Sequence, residues 1–238
     1  DIAWQKTYGG EAFDGATFIQ QTSDEGYVVA GWTLSFGAGT SDMWILKLDS
    51  DGDITWQKTF GGSGEDFPVS TQQTSDEGYI VAGWTSSFGV GSRDYCLLKL
   101  DSNGDIIWQK TYGGSLLDEA HFIQQTTDGG YIITGYTSSQ GEGDENVWLI
   151  KTDGKGNLEW EKTYGDLYAN RAYCVQETSD KGYIIAGWTD TTDGTDMLLI
   201  KTNHQGILQF QKTYGGVFKG DFGFSVKQTY DEGYILVG

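Results

Sequence analysis

One feature limits the possible folds of this chain more than any other: a sequence repeat with a period close to 50 residues. The phrase Trp-Gln-Lys-Thr-Tyr-Gly-Gly, or a near copy of it, begins at residues 4, 56, 108, 160 and 210. Between these phrases recur a Thr-x-Asp-x-Gly-Tyr block and an apolar block such as Tyr-Ile-Val-Ala-Gly-Trp-Thr. Such a period indicates that one small structural unit is repeated along the chain and stacks on its neighbours.

Each repeat predicts four short strands, which in the first full unit cover about 17–22, 27–33, 43–49 and 53–59. The 36 glycines, the single proline and the 14% aromatic content favour short strands joined by glycine turns over helices. We therefore predict an all-β fold, a β-propeller of four-stranded antiparallel blades with five repeats of 50–52 residues. A flat solenoid is the alternative.

The chain ends bear on how such a propeller closes. The chain opens inside one blade, and the fifth repeat stops after its second strand. We expect residues 1–238 to be a single propeller domain with an incomplete last blade, and to be a fragment of a longer chain. The open strand edge of that blade would invite pairing with another chain or segment.

The two tight turns of each repeat set the strand register. Asp51-Gly52 predicts a two-residue type I′ hairpin between the third and fourth strands. That hairpin places lysine stems opposite rings, where they pack across the strands; the pairs are Lys47–Trp56, Lys99–Trp108, Lys151–Trp160 and Lys201–Phe210. Between the first and second strands, Asp24-Glu25-Gly26 predicts a three-residue hairpin with Gly26 in the left-handed conformation.

Charge and composition exclude several partners. With 34 acidic and 15 basic residues the net charge is −19, which repels nucleic acid and anionic membranes. No apolar segment is long enough to span a membrane, and no signal-peptide pattern is present. Cys96 and Cys174 stand mostly where other repeats carry apolar residues, so we predict free, buried thiols.

Two acidic series lie in the longer loops, which all fall on one side of the predicted blades; we call it the long-loop face. Asp and Asn at such places either bind the loop backbone or form a ring of acceptors for a cation or sugar hydroxyls. Between the fourth and first strands the series is Asp14, Asp66, Asp118, Asn170 and Asp221. Between the second and third strands it is Asp42, Asp94, Asn146 and Asp196.

An aromatic series stands beside the same face, at the ends of the second strands: Trp32, Trp84, Tyr136 and Trp188. Packing between blades is one interpretation. The other is a sugar-binding platform, since an aromatic ring stacks on C–H groups while nearby acids accept hydroxyl hydrogen bonds. Repeated sites of this kind would make a multivalent lectin.

Signals for metals and catalysis are weak. Asp49, Asp51 and Asp53 alternate like the opening of a calcium loop, although the glycine comes fourth where an EF-hand has it sixth, and a plain hairpin turn is the alternative. Two arginines, two histidines and no clustered Cys and His set give no substrate clamp, nucleophilic triad or zinc site. We predict no cofactor, calcium apart, and no enzyme.

The three recurring blocks, W-x-K-T-Y-G-G, T-S-D-x-G-Y-I-V-A-G-W-T and K-L-D-S-x-G-D-I, resemble a repeat of secreted and surface proteins of bacteria and archaea. That family is generally taken to form β-propellers, so the resemblance implies an extracellular or cell-surface location. Leu48-Asp49-x-x-Gly52-x-x-x-Trp56 is also similar to the tryptophan-docking hairpin of quinoprotein propellers. This second resemblance implies packing between blades for Trp4, Trp56, Trp108 and Trp160, with Phe210 a weaker match.

These patterns together predict a non-catalytic module that binds or assembles proteins. A lectin-like propeller that binds carbohydrate through the long-loop face, with or without calcium, is the first alternative. A glycan-acting hydrolase with dispersed carboxylates is the second, and it would need a pair of acids about 5 to 10 Å apart in a cleft.

Overall fold

The computed structural model describes residues 2–217 and 219–238, and these residues form eighteen β-strands and no helix. The all-β prediction is therefore confirmed, as is the four-stranded antiparallel unit. The chain divides into two compact units, Asp1–Gly113 and Gly114–Gly238, here called unit 1 and unit 2.

Unit 1 contains two antiparallel sheets in which the strands lie in sequence order. The first sheet is made of β1 (Asp14–Gln21), β2 (Tyr27–Thr33), β3 (Asp42–Leu48) and β4 (Ile54–Phe60). The second is made of β5 (Asp66–Gln73), β6 (Tyr79–Thr85), β7 (Asp94–Leu100) and β8 (Ile106–Tyr112). The predicted strands of the first unit are reproduced, except that β1 begins three residues earlier than expected and β3 and β4 are each shifted by one residue.

Unit 2 contains two further four-stranded sheets and a two-stranded one. Its first sheet is β9 (Asp118–Gln125), β10 (Tyr131–Thr137), β11 (Asn146–Thr152) and β12 (Leu158–Tyr164). The second is β13 (Asn170–Glu177), β14 (Tyr183–Thr191), β15 (Gly194–Thr202) and β16 (Leu208–Tyr214). The last is the hairpin β17 (Ser225–Gln228) and β18 (Tyr234–Val237).

The core of each unit lies between consecutive sheets. The middle strands, such as β6 and β7, are buried along their whole length, as expected from their unbroken apolar runs. In unit 1 the shared core includes Val28, Ile45, Val81 and Leu98. In unit 2 the corresponding residues include Ile132, Leu149, Ile185 and Ile200. The fourth strand of each sheet is largely exposed.

The hairpin between the third and fourth strands has the predicted register but not the predicted turn. Lys47 lies opposite Trp56, and the three later lysine–ring pairs are also as expected. The type I′ turn is wrong, because only Gly52 has a positive φ, of 76°, and its N–H donates to Asp49 O at 3.1 Å. The loop has three residues, and a bulge beside Leu48 restores the register.

The prediction for the hairpin between the first and second strands is wrong by one residue. The left-handed residue is Glu25, with φ of 65°, and its counterparts are Glu77, Gly129, Lys181 and Glu232. A glycine is needed at position 26 because there is no room for a side chain, and not because of its φ. A Cβ there would lie 2.2 Å from Leu48 O and 2.5 Å from Lys47 Nζ.

This close approach exists because a buried lysine joins the two hairpins of each sheet. Lys47, only 5% exposed, forms an ion pair with Asp24 at 2.9 Å and donates to Leu48 O at 2.9 Å. The later sheets repeat the pair as Lys99–Asp76, Lys151–Asp128 and Lys201–Asp180. The lysine lies opposite the ring in the strand register, and its ammonium group reaches the carboxylate; packing of its stem on the ring stays a prediction.

Both cysteines are buried free thiols, as predicted. Burial raises the pKa of Cys96 to about 12 and also raises the pKa of Cys174. Thiols held in the protonated form in this way are poor nucleophiles.

Candidate functional site

The tryptophans that open the repeat phrases dock on the next sheet within each unit. In unit 1 the indole N–H of Trp4 donates to Ser50 O at 3.1 Å, and that of Trp56 donates to Ser102 O at 3.1 Å. Tyr8 adds a hydrogen bond from its hydroxyl to Gly52 O at 2.6 Å. The loop between the third and fourth strands of each sheet in unit 1 therefore accepts hydrogen bonds from side chains of the preceding repeat phrase.

Unit 2 has the same kind of seam. A Cβ at Gly206 would lie 2.8 Å from the ring of Trp160, and Tyr164 donates to Gly206 O at 2.6 Å. Phe210 lies 6.3 Å from the ring of Tyr234. Trp108 lies on β8 opposite Lys99, and its docking role stays a prediction.

The calcium candidates lie inside one of these hairpin loops. Asp49 Oδ1 accepts the N–H groups of Asp51 at 3.0 Å and Asp53 at 2.8 Å, and Asp53 forms an ion pair with Lys6 at 2.6 Å. Within the described residues no group of three or more His, Cys, Asp or Glu side chains could hold a metal ion. The alternating aspartates are thus used in closing the turn and joining it to Lys6.

The first acidic series organises the long loops. Asp14 accepts hydrogen bonds from the hydroxyls of Thr33 at 2.5 Å and Ser35 at 2.8 Å, and from Gly10 N at 2.8 Å. Partial burial opposes ionisation, but these hydrogen bonds outweigh it and lower the pKa of Asp14. Asp66 and Asp118 repeat the contacts and are fully buried.

The other positions of the two series show the same kind of use. Asp42 accepts the N–H groups of Ala38 at 2.9 Å and Gly39 at 3.1 Å, and Asp94 makes the equivalent pair of bonds. Asp196 lies beside Gly215, where a Cβ would meet its carboxylate at 1.9 Å. Most of these carboxylates are buried and occupied, so ligand contact through them would require the loops to open.

The aromatic series lies in a different environment in each of the two units. In unit 1, Trp32 stacks on Phe67 with ring centroids 5.9 Å apart, and Phe67 stacks on Trp84 at 5.5 Å. The guanidinium of Arg93 lies 3.9 Å from the centre of the Trp84 ring and forms an ion pair with Glu65 at 3.3 Å. We call Trp32, Phe67, Trp84 and Arg93 the aromatic ladder.

A cavity of ≈ 310 Å³ opens beside the aromatic ladder on the long-loop face of unit 1. Apart from the ladder itself, its walls include Leu34, Thr40, Ser41 and Glu65. Trp84 is only 9% exposed, because Phe67 and Arg93 cover it. The cavity therefore combines aromatic walls with a rim of hydroxyls and one ion pair.

In unit 2 the equivalent positions carry charge. Arg171 lies 4.2 Å from the centre of the Tyr136 ring and 5.6 Å from that of Trp188, and it binds Glu145 through two hydrogen bonds of 2.5 and 2.6 Å. Burial and the neighbouring Glu119 raise the pKa of Tyr136, and the hydrogen bonds that Arg171 donates to Glu145 raise the pKa of Arg171. We call Glu119, Tyr136, Glu145 and Arg171 the charged cluster.

His121 lies next to this cluster and is mostly buried. Its ring stacks on Tyr173 at 4.7 Å, and its Nδ1 is 2.9 Å from Ala172 O, so that nitrogen carries the proton. Trp188 donates to the hydroxyl of Tyr173 at 3.2 Å. Only Tyr136 of the charged cluster was a candidate from the sequence. A further signal was visible there, since Gly15, Phe67, Glu119 and Arg171 occupy one repeat position between residues that hardly vary.

Comparisons with known proteins leave the family open. No protein-family model matches the chain, and no curated protein matches it. Among solved structures, one titled as a crystal structure of the eukaryotic initiation factor is 8% identical with a TM-score of 0.34. The match covers 86% of this chain and 56% of that one. Within the described residues no helix is long and apolar enough to cross a membrane.

Proposed function

We propose that this chain forms a β-propeller that serves as a non-catalytic, extracellular or cell-surface module for binding a protein partner. The propeller is supported by four-stranded antiparallel sheets whose middle strands are buried on both faces. The location rests on the sequence resemblance alone.

One observation carries the proposal of protein binding: exposed apolar side chains lie on the two long loops of unit 1 that also supply walls of the cavity. Leu34 lines the cavity itself, and Phe88 and Val90 lie on the loop that contributes Arg93 to its wall. Leu34, Phe88 and Val90 are 44%, 43% and 79% exposed. Single exposed apolar residues are ordinary, but several on the loops that form an aromatic-walled cavity are typical of an interface. The cavity has room for one large side chain of the partner.

The charge of the chain indicates what that partner carries. A net charge of −19 speeds the approach of a basic protein and slows that of an acidic one. We therefore propose a partner that inserts an aromatic or long aliphatic side chain into the cavity and surrounds it with lysine or arginine.

Carbohydrate binding on this face has less support. A sugar platform needs an open ring face, whereas Trp84 is covered by Phe67 and Arg93, and Tyr136 is 2% exposed. Trp32 and Trp188 keep part of their rings exposed. A repeated, multivalent lectin surface is thus the weaker proposal.

Selection of a random peptide library on the immobilised chain tests the proposal. We expect the selected peptides to combine an aromatic residue with flanking Lys or Arg, and their affinity to fall with salt. Val90→Ser and Leu34→Ser should weaken binding by about tenfold, which is about 1.4 kcal/mol. Ile107→Ser is the matched control, since Ile107 is exposed on the outer strand β8. Peptides that bind both loop variants as well as the original chain would contradict the proposal.

A further inference from the structure

A second cavity, of ≈ 700 Å³, opens on the opposite face of unit 2, where the tight hairpins lie. It is formed between the sheets β9–β12 and β13–β16. Its walls include Asp128, Glu159, Trp160, Glu177, Lys181 and His204. These side chains come from β12, from the end of β13 and from three separate turns. We call this cavity the hairpin cleft.

The hairpin cleft is where the repeat loses its regularity. Glu177 stands where other repeats have Gln21, Gln73 and Gln125, and Lys181 where they have Glu25, Glu77 and Glu232. His204 stands at the place of Ser50 and Ser102, and Glu159 at the place of Thr55, Ile107 and Gln209. Four departures that are far apart in the sequence thus meet in one cavity.

The hydrogen bond that joins neighbouring sheets at the position of Glu177 does not require a glutamate. In unit 1, Gln73 Oε1 accepts the N–H of Ser23 at 2.8 Å, which joins the two sheets. In unit 2, Glu177 accepts the N–H of Thr127 at 2.9 Å and also its hydroxyl at 2.9 Å. A glutamine maintains the seam equally well, so the seam alone does not account for the carboxylate.

The charges of the cleft nearly balance one another. Lys151 is shared between Asp128 at 3.0 Å and Glu159 at 3.1 Å, and Asp180 pairs with Lys201 at 3.0 Å. Lys181 donates to Thr127 Oγ1 at 2.8 Å and has no salt bridge within the described residues. A ligand entering the cleft would therefore meet hydrogen-bond donors and acceptors together, without a strong field of one sign.

We propose that the hairpin cleft binds one unit of a neutral saccharide. The Trp160 indole packs against Gly206 and Tyr183 but is partly exposed, and it lines the cleft, where it supplies apolar contact for a sugar ring. Lys181 and His204 offer donors and Glu159 offers an acceptor for the hydroxyls. A free anion would be opposed by Glu159 and Glu177, whereas a free cation would find the other carboxylates of the cleft already paired with Lys151 and Lys201. The site is single, in contrast to a repeated lectin surface, and it is independent of protein binding by the long-loop face.

Titration calorimetry and saturation-transfer NMR with a panel of neutral disaccharides (cellobiose, maltose and N,N′-diacetylchitobiose) test the proposal. We expect at least one to bind. The triple variant Glu177→Gln, Lys181→Glu, His204→Ser should weaken that binding by at least about tenfold. Each new residue already occurs at the same position of another repeat, so this variant is expected to fold.

A matched control places the departures in unit 1, as Gln73→Glu, Glu77→Lys and Ser102→His. The affinity of this control should remain that of the original chain. The proposal is overturned if no disaccharide of the panel binds, or if the triple variant binds as tightly as the original chain. Stronger binding of glucosamine or glucuronate than of the neutral sugars would also overturn it, because the cleft would then select charge.

Discussion

The aromatic ladder of unit 1 and the charged cluster of unit 2 occupy the same repeat positions, yet they have opposite chemistry. Phe67 lies opposite Trp84 in the register of β5 and β6, just as Arg171 lies opposite Trp188 in β13 and β14. Both pairs keep the same backbone pairing and the same bulge two residues further on. The identity of the side chain at this position is therefore not a condition of the fold.

This difference separates the residues that specify the repeat from those that distinguish one repeat from another. The hairpin glycines, the buried lysines and the docking tryptophans recur because each solves a problem of backbone geometry. The second residue of the first strand in each sheet varies, as Phe67, Glu119 and Arg171 show, because its neighbours are mainly other side chains. Variation at such places is the best guide to function in a repeat protein.

The two arginines give the largest expected effect. Arg171→Ala should lower the free energy of unfolding by about 3 kcal/mol, because Glu145 is left without its partner in a mostly buried place. Arg93→Ala should cost less than about 1 kcal/mol, since its partner is exposed. The side chain of Glu145 is 16% exposed and that of Glu65 is 53% exposed.

Urea unfolding of the two arginine variants measures this contrast. Adding Glu145→Gln to Arg171→Ala should recover part of the loss, because the unpaired charge is then removed. Equal losses in the two single variants would show that the ladder and the cluster differ only in composition and not in energetics.

Substitutions at three hairpin glycines test whether the same steric restriction holds in both units. Gly78→Ala and Gly182→Ala should each cost about 2 kcal/mol, because the new methyl group would collide with a carbonyl and an ammonium group. The carbonyl oxygens lie 2.3 Å and 2.1 Å from the added Cβ, and Lys99 Nζ and Lys201 Nζ each lie 2.5 Å from it. Thermal unfolding measures both, and similar losses in the two units are expected.

Gly129→Ala is the control for these variants. It has a left-handed φ of 84° and no atom within 4 Å of an added Cβ, so only conformational strain of about 1 kcal/mol is expected. A loss as large as that of Gly78→Ala would mean that backbone conformation, and not space, explains the recurring glycine.

Replacing a left-handed glutamate by glycine is expected to stabilise the chain slightly. Glu77 holds a left-handed φ of 64°, and Gly129 fills the same place in the next repeat. Glu77→Gly should therefore add about 0.5 to 1 kcal/mol to the free energy of unfolding, the strain relief being reduced by the greater freedom of the unfolded chain. Chemical denaturation measures it, and a net loss would show that the Glu77 side chain contributes more than its backbone strain costs.

Acid should weaken both units through the same carboxylates. Hydrogen bonds from Thr22 and Lys47 lower the pKa of Asp24 to about 2, and the pKa values of Asp128 and Asp180 are also about 2 because hydrogen bonds outweigh burial. The unfolded value is near 3.8, so the stabilisation is complete above that pH and is lost as the pH falls towards 2.

Because these carboxylates are more than half exposed, the effect should be small, about 0.5 kcal/mol per site. Unfolding measured between neutral pH and pH 2 should show a shallower slope for Asp24→Asn than for the original chain. An unchanged slope would mean that the lysine–aspartate pairs do not titrate with folding.

The sequence predicted the repeated frame well, because its signals are local. Strand β2 followed from its apolar run, and the pairing of Lys47 with Trp56 was predicted correctly because the bulge beside Leu48 compensates for the extra residue of the loop. The turn types were predicted wrongly. The position of a glycine in the sequence does not reveal whether the glycine is needed for a positive φ or because there is no room for a side chain. Gly26 illustrates this, because the atoms that demand a glycine belong to Lys47 and Leu48 on another strand.

The site was harder to predict than the frame. The acidic series were identified as candidates, but their burial and their hydroxyl partners Thr33 and Ser35 depend on how the loops fold back. The charged cluster and the hairpin cleft combine residues from different repeats. A pattern shared by all repeats conceals such sites, whereas the exceptions to the pattern reveal them.

The seam between sheets has a further, evolutionary consequence. Trp4, Tyr8, Trp56 and Tyr164 bind main-chain oxygens of the next hairpin loop. The docking rings require the loop glycine, since a Cβ at Gly52 would lie 2.9 Å from the Trp4 ring, but the hydrogen bond of Trp4 to Ser50 O does not depend on the side chain at position 50. A tip residue can therefore mutate without loosening the joint, as the change from serine at 50 and 102 to histidine at 204 illustrates. A protein joined in this way can drift neutrally at this one position of each tip and acquire a new recognition group in one repeat while the others stay unchanged.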